Sequence, residues 1–369
     1  MKKQNSLLLN GICPYFTMFP LEFPLSVLRE RAQKGEWVLD PFCGRGTTNF
    51  ASRSLGLPTF GIDSSPVAVA SSQAKLVQVA PITILRVASR ILREVSEPRD
   101  VPQGRFWELA YDPGVLRDLC KLRESLLVSC ESDARIALRG LLMGALHGPL
   151  KKDGSSSYLS NQCPRTYAPK PAYSVKYWQE HALHPPHVRL LDIINMRAER
   201  YYGTAIDKTK SRIVQADSRD QRAFRWLRHQ PGADWVITSP PYYGMRTYIP
   251  DQWLRNWFVG GPAVVDYYNE RQLSHRSPED FAAQLRSIWM NVSQVCNEGA
   301  RLVIRFGGIN DRKANPRTVL LNSLRESGWR VETLISAGNA SNGKRQADHF
   351  LQAESRAIEE FDVWARKSA

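Results

Sequence analysis

Val38-Leu39-Asp40-Pro41-Phe42-Cys43-Gly44-Arg45-Gly46-Thr47-Thr48 is the stretch whose reading decides how this chain folds. Trp37-Val38-Leu39 is a short apolar run that predicts a buried strand ending at Asp40. Gly44 and Gly46 make a tight loop before a helix that begins near Thr47 and stops around Gly56, a natural residue just past a helix end. A second strand, Thr59-Phe60-Gly61-Ile62, ends at Asp63, and Pro66 then stands where the first turn of another helix accepts proline. Strand, loop, helix, strand and acid in that order argue for an α/β sheet with helices on both faces.

The pattern resumes far downstream. Arg212-Ile213-Val214-Gln215 and Trp235-Val236-Ile237 read as strands, the first ending in Asp217 and the second running into Thr238-Ser239-Pro240-Pro241-Tyr242. Ser277-Pro278-Glu279-Asp280 carries a cap and a first-turn proline, which predicts a helix reaching about Cys296. A strand over Arg301 to Phe306, a helix from about Pro316 to Gly328, a strand from Trp329 to Ile335 and a last strand over Glu360 to Trp364 complete the series. Between roughly Ala80 and Lys210 the sheet pattern lapses into helix-like text, from Ile82 to Val95 and from Val115 to Leu146. A polar, proline-rich stretch from Lys151 to Lys176 follows, in which Lys151, Lys152, Arg165, Lys170 and Lys176 alternate with Tyr158, Tyr167 and Tyr173. A connection of this length between neighbouring strands predicts an inserted subdomain rather than a loop.

With 369 residues, 43% of them hydrophobic and 23% charged, the chain is long enough to bury a large core without cross-links. Its net charge of +14 points to a polyanionic partner, with nucleic acid the first choice and an anionic membrane surface the competitor. No run reaches the ~18 apolar residues of a spanning helix. After Lys2-Lys3 the apolar Leu7-Leu8-Leu9 stops at Asn10, so neither a signal peptide nor a membrane partner is expected, and a cytoplasmic location is. The six cysteines show no C-x-x-C pairing and are read as reduced thiols. His181, His184 and His187 are separated by Pro185-Pro186, which breaks the helix that would align them, and no metal is expected.

A dinucleotide fingerprint needs a third glycine where this chain has Asn49, which disfavours a nicotinamide cofactor. Asp40 to Thr48 instead resembles the DPFxGxGTT form of motif I of the amino methyltransferases, and Thr238 to Tyr242 resembles their motif IV. These enzymes move a methyl group from S-adenosylmethionine to an exocyclic amine of a nucleic-acid base. The resemblance covers about residues 14–80 and 211–366. It implies a Rossmann-like doubly wound methyltransferase sheet, mostly parallel with a final antiparallel strand, plus a helical insert. The catalytic domain would be 1–80 with 211–369, and the insert at 81–210 would supply target recognition.

The resemblance also implies the cofactor S-adenosyl-L-methionine, the product S-adenosyl-L-homocysteine, and a set of residues. Pro41, Phe42, Gly44, Gly46, Thr47 and Thr48 would form the cofactor loop, whose glycines permit close approach and whose helix amides suit the methionine carboxylate. Asp40 would take the methionine ammonium, Asp63 the ribose hydroxyls, and Asp217 with Ser218 the adenine amine. Each acid has a plainer reading too: Asp63 as the cap of the next helix, Asp217 as an ordinary strand end. Pro14 to Pro20 looks like motif X, in which Phe19 and Pro20 either close over the cofactor or anchor the helix that begins near Pro24.

An exocyclic amine is a poor nucleophile because its lone pair is delocalised into the ring. Two acceptors, the Ser239 hydroxyl and the Pro240 carbonyl, would bend it toward sp³, with Pro240-Pro241 stiffening the loop and Tyr242 stacking on the base. In a duplex the base must first be flipped out. Serine ahead of Pro-Pro-Tyr is associated in the family with cytosine N4 and aspartate with adenine N6, whereas the order of the two motifs departs from the permuted order of many N4 enzymes. The expected protein is a sequence-specific DNA methyltransferase, cytosine-N4-specific, working alone or with a cognate restriction endonuclease on double-stranded DNA. Adenine-N6 methylation, guanine-N2 methylation of transfer RNA and an inactive nucleic-acid-binding relic are the alternatives. Besides the insert cations, Tyr243, Arg246, Lys344 and Arg345 are candidate nucleic-acid contacts, although the last two read more readily as a solvated turn. Trp253 and Trp257 read as a channel wall or as one face of a core helix.

Overall fold

A computed structural model describes residues 7–14, 19–149, 157–163, 169–244, 249–265, 273–307, 314–338 and 360–368. The chain divides into a sheet unit, made of Tyr15–Ser72, Asp207–Thr247 and Glu270–Ala369, and a helical unit made of Met1–Pro14, Gln73–Ile206 and Tyr248–Asn269. The helical unit thus takes 81–206 of the expected insert, leaves 207–210 to the sheet unit, and gathers in 1–14, 73–80 and 248–269 as well.

In the sheet unit the strands are β1 (Val38–Asp40), β2 (Thr59–Asp63), β3 (Ser211–Gln215), β4 (Ala233–Thr238), β5 (Cys296–Phe306), β6 (Trp329–Gly338) and β7 (Glu360–Lys367). They lie in the order β3-β2-β1-β4-β5-β7-β6, with every neighbouring pair parallel up to β5 and β7 antiparallel to both β5 and β6. This is the expected Rossmann-like doubly wound sheet, mostly parallel with an antiparallel strand. Its final strand in sequence is not an edge but slides between β5 and β6.

Parallel strands buried on both faces read as continuous apolar runs, and alternate side chains serve opposite cores. Leu39, Val236, Leu302 and Ile304 face one core, shared with Phe281, Leu285, Ile288 and Trp289 of the helix Pro278–Ser293. Val38, Trp235, Ile237 and Val303 face the other, shared with Phe23, Val27 and Leu28 of the helix Glu22–Arg31. The Ser277 hydroxyl caps the first of these helices by accepting from the Asp280 amide at 3.1 Å.

In the helical unit the helix-like text from Val115 to Leu146 forms two helices, Pro113–Val128 and Asp133–Ala145. Ser132 explains the break, since its hydroxyl accepts from the Arg135 amide and caps the second helix. The helix Ile249–Phe258 buries Trp253 and Trp257 against Phe106 and Trp107, so their core reading is the one observed. No helix among the described residues is long and apolar enough to cross a membrane.

Candidate active site

The two motif stretches end on neighbouring strands. β1 and β4 are parallel partners, so Asp40 and Thr238 close them at the same edge of the sheet. β2 and β3 lie to one side of this pair and β5 to the other. In open α/β sheets the crevice at the carboxyl ends of such a reversal point is where ligands sit. Thr238 Oγ1 donates to Asp40 Oδ1 at 2.6 Å across 198 residues of sequence, and the Phe42 amide donates to the same oxygen at 3.1 Å. Thr48 Oγ1 donates to the Ile237 carbonyl at 3.1 Å, a second tie between the same loops.

Asp40 is fully buried, and burial pushes its carboxyl up to about 7 against the opposing hydrogen bonds of Thr238 and Phe42. The Thr48 hydroxyl also works against that rise, while among the described residues the buried Oδ2 makes no hydrogen bond of normal geometry. A buried acceptor left in that state costs about 1–3 kcal/mol, which fits an oxygen held for a donor from outside the chain. The folded value lies above the ordinary 3.8, so folding favours the protonated acid. The contribution of Asp40 to stability is therefore complete below about 4 and lost as pH rises through about 7. Thermal melting of the wild type should fall relative to Asp40→Asn over that interval, and melting curves that run parallel would assign the titration to another group.

Gly44 and Gly46 hold φ of 50° and 76°, the left-handed region that favours glycine. A Cβ on Gly44 would meet nothing closer than the Phe42 carbonyl oxygen at 3.9 Å, so the space before the loop is open. On Gly46 it would strike Ser72 Oγ at 2.7 Å and its Cβ at 2.8 Å. Ser72, on the helix Pro66–Ala74, donates to the Gly44 carbonyl at 2.8 Å, so this helix is seated directly on the loop. The glycine missing at Asn49 turns up on the strand instead: a Cβ on Gly61 would lie 2.9 Å from Asn49 Oδ1. Asn49 Nδ2 uses that room to reach Thr59 Oγ1 at 2.8 Å.

Asp63 receives the Gly44 amide on Oδ2 at 2.8 Å and the Ser65 amide on Oδ1 at 2.9 Å. Burial raises its carboxyl in spite of these bonds. Each oxygen retains a lone pair for a further donor such as a hydroxyl. At the end of β3 the geometry is tighter. Asp217 takes the Arg219 guanidinium at 3.0 Å from Nε and 2.6 Å from Nη2; burial pushes its carboxyl up, but Arg219 outweighs it and holds the group below the usual range. The buried Ser218 hydroxyl donates to the Pro41 carbonyl at 2.6 Å and so pins the Asp40-to-Thr48 loop to the segment that follows β3.

Beyond β4, Ser239 is half-buried and Pro240 buried. Tyr242 packs edge-on against Phe306 at 5.3 Å and donates its hydroxyl to Glu360 Oε1 at 2.9 Å. Tyr243 leans on Phe281 and His275, while His275 Nδ1 accepts from the Gly244 amide at 3.1 Å. Phe19 lies edge-on to Phe23 at 5.5 Å against the helix Glu22–Arg31, the anchoring arrangement, and Pro20 is exposed. Lys170 and Lys176 are exposed and lie 4.0 Å from Asp251 and 3.7 Å from Glu180 respectively. Lys151, Lys152, Arg165, Arg246, Lys344 and Arg345 lie outside the described residues. Among the described residues no three His, Cys, Asp or Glu side chains converge as a metal ion needs.

Sequence reading passed over Thr238, Ser72 and Glu360 as partners. Thr238 stood inside the motif, and the signal for it was the parallel pairing of β1 with β4.

Residues 2–74, which include the whole Asp40-to-Thr48 loop, match the model of a family described as DNA methylase. Over this stretch the chain is methylase-like. No curated protein matches the chain in sequence. Among solved structures it is similar to TrmN from Thermus thermophilus, at 10% identity and a TM-score of 0.34 over 95% of this chain and 49% of that one. The chain thus spans about half the length of TrmN. The rRNA methyltransferase aviRa from Streptomyces viridochromogenes is similar at 12% identity and 0.35, over 96% of this chain and 87% of aviRa. Magnesium protoporphyrin IX methyltransferase from Synechocystis, solved with bound S-adenosylmethionine, is similar at 9% identity and 0.33, over 94% and 78%. Likenesses this distant add nothing to the sheet order described above.

Proposed function

We propose that the chain is an S-adenosylmethionine-dependent DNA methyltransferase acting on the exocyclic N4 amine of a flipped cytosine. The observation that carries this reading is the 2.6 Å bond from Thr238 to Asp40, which holds the methylase-like loop beside Ser239-Pro240-Pro241-Tyr242. The residues present suit the cofactor: Asp40 Oδ2, which makes no hydrogen bond of normal geometry among the described residues, is a buried acceptor for the ammonium, Asp63 has lone pairs for the ribose, and the face of Gly44 is open. S-adenosylmethionine supplies an electrophilic methyl on a sulfonium, leaving S-adenosylhomocysteine when the C–S bond breaks.

The chain's own part is positional. The Ser239 hydroxyl and the Pro240 carbonyl accept the two amine hydrogens, which localises the nitrogen lone pair toward the methyl carbon. As the N–C bond forms, one amine proton passes to solvent through these acceptors. Tyr242 is fixed before any base arrives, by Phe306 at its edge and Glu360 at its hydroxyl, and so offers a platform whose ordering cost is already met. Flipping costs a few kcal/mol, which stacking and edge contacts offset. The same acceptors suit the N6 amine of adenine and the N2 amine of guanine, so the base and the polymer are assigned together by experiment. Duplex DNA and transfer RNA are each incubated with protein and isotope-labelled cofactor, digested, and analysed by mass spectrometry. Labelled N4-methyl-2′-deoxycytidine from DNA is expected; label only in transfer RNA, or only in N6-methyl-2′-deoxyadenosine, would overturn the assignment.

A further inference from the structure

We infer that the sheet unit carries a contact surface for nucleic-acid phosphates on the connection between β3 and β4, remote in sequence from the lysines of the insert. This rests on the nucleic-acid reading above. Arg219, Arg222, Arg225 and Arg228 recur at intervals of three along this connection. The segment winds into two short 3-10 helices, Gln221–Phe224 and Leu227–His229. Three residues per turn stacks positions i and i+3 in one column. Phe224 and Leu227 form the inward column, 0% and 1% exposed in the core with Phe60 and Trp289. Arg222, Arg225 and Arg228 form the outward column, each exposed. At ~2 Å of rise per residue, successive guanidinium groups start about 6 Å apart along the axis.

The third column widens the surface. Trp226 stacks on Phe60 at 5.4 Å and meets Trp37 edge-on at 5.6 Å. The exposed Arg212 lies over the Trp226 ring at 5.5 Å, and the exposed Lys210 over Trp37 at 5.7 Å. Two tryptophans thus hold two further cations beside the arginine row. Anchoring the connection requires only the inward column. Nothing in the core calls for arginine at all three outward positions, and like charges at this spacing repel unless a polyanion faces them.

The local offsets are limited. Arg219 is spent on Asp217 and is left out of the surface. Asp220 pairs with Arg222 at 2.7 Å, with the arginine 89% and the aspartate 39% exposed, and an exposed pair of this kind is weak enough to exchange for phosphate. Among the described residues Arg228 Nη2 donates to the Gln294 side-chain oxygen, at 3.3 Å.

The test compares wild type with the triple variant Arg222→Gln, Arg225→Gln, Arg228→Gln. A second triple, Arg29→Gln, Arg276→Gln, Arg317→Gln, makes the same charge change at exposed positions elsewhere in the sheet unit. Binding of a fluorescein-labelled duplex of arbitrary sequence is followed by anisotropy over a salt series, with thermal melting to confirm equal folding. The surface triple should flatten the slope of log affinity against log salt by about 2 to 3 and weaken binding about tenfold or more near 0.1 M salt. The control triple should change the slope by less than about one. Equal slopes for wild type and surface triple, or equal losses in the two triples, would overturn the inference while leaving the methyltransferase reading intact. Failure of the wild type to bind duplex or transfer RNA at all would sink that reading and this surface with it.

Discussion

Ser239→Ala is expected to bind S-adenosylmethionine with unchanged affinity and to lose methyl transfer by about 10²–10³-fold, the usual cost of removing one well-aimed polar group from a reacting centre. The position is half-buried at the end of β4, and the change deletes one oxygen while the strand pairing of β4 with β1 and β5 is untouched. The ties that hold the loop in place come from its neighbours, Thr238 to Asp40 and Thr48 to the Ile237 carbonyl, and neither uses the Ser239 side chain. Single-turnover transfer of labelled methyl and calorimetry of cofactor binding separate the two effects. A variant that transfers methyl at the wild-type rate would remove Ser239 from the mechanism.

Gly46→Ala should be the most damaging single change in the cofactor loop. The left-handed backbone alone costs a non-glycine residue about 1–2 kcal/mol. The new methyl would sit 3.0 Å from the backbone Cα of Ser72, so the helix Pro66–Ala74 must move rather than a side chain swing aside. Overpacking of that kind adds about 1–3 kcal/mol. Ser72 also carries the bond to the Gly44 carbonyl, so any shift of the helix disorders the loop proposed to meet the cofactor. A melting temperature lower by roughly 5–10 °C, with cofactor binding lost, is expected. The same substitution at Gly44 meets open space and bears the backbone cost alone. Equal melting of Gly46→Ala and wild type would show that the close approach to Ser72 is not present in solution.

Much of this was legible in the chain because it is set by near neighbours. The apolar runs of β1 and β4, the glycines at Gly44 and Gly46, Pro66 in a first turn and the Ser277 cap each act within a few residues, and each element began where it was expected; the far end of the Ser277 helix did not, since it stops at Ser293 and Cys296 opens β5. The helix-like text before Leu146 holds its own break, the short polar run Ser129-Cys130-Glu131-Ser132, where the first helix ends and the hydroxyl of Ser132 caps the second. Asp217 shows the other limit. As text it is a strand-end acid like Asp63, yet Asp63 binds two backbone amides of its own loops while Asp217 is paired with Arg219 two residues on.

What the residues determined by themselves is the alternation of strand and helix, the loop that brings a ligand to bare backbone, and the resemblance of two separate motifs to one family. What only the folded chain decided is that those motifs meet. Thr238 reaches Asp40 over 198 positions and Ser218 reaches Pro41 over 177, contacts that depend on β4 lying beside β1 and β3 lying two strands away. Strand order is a global choice made by burying both faces of the sheet at once, and no local pattern of residues encodes it.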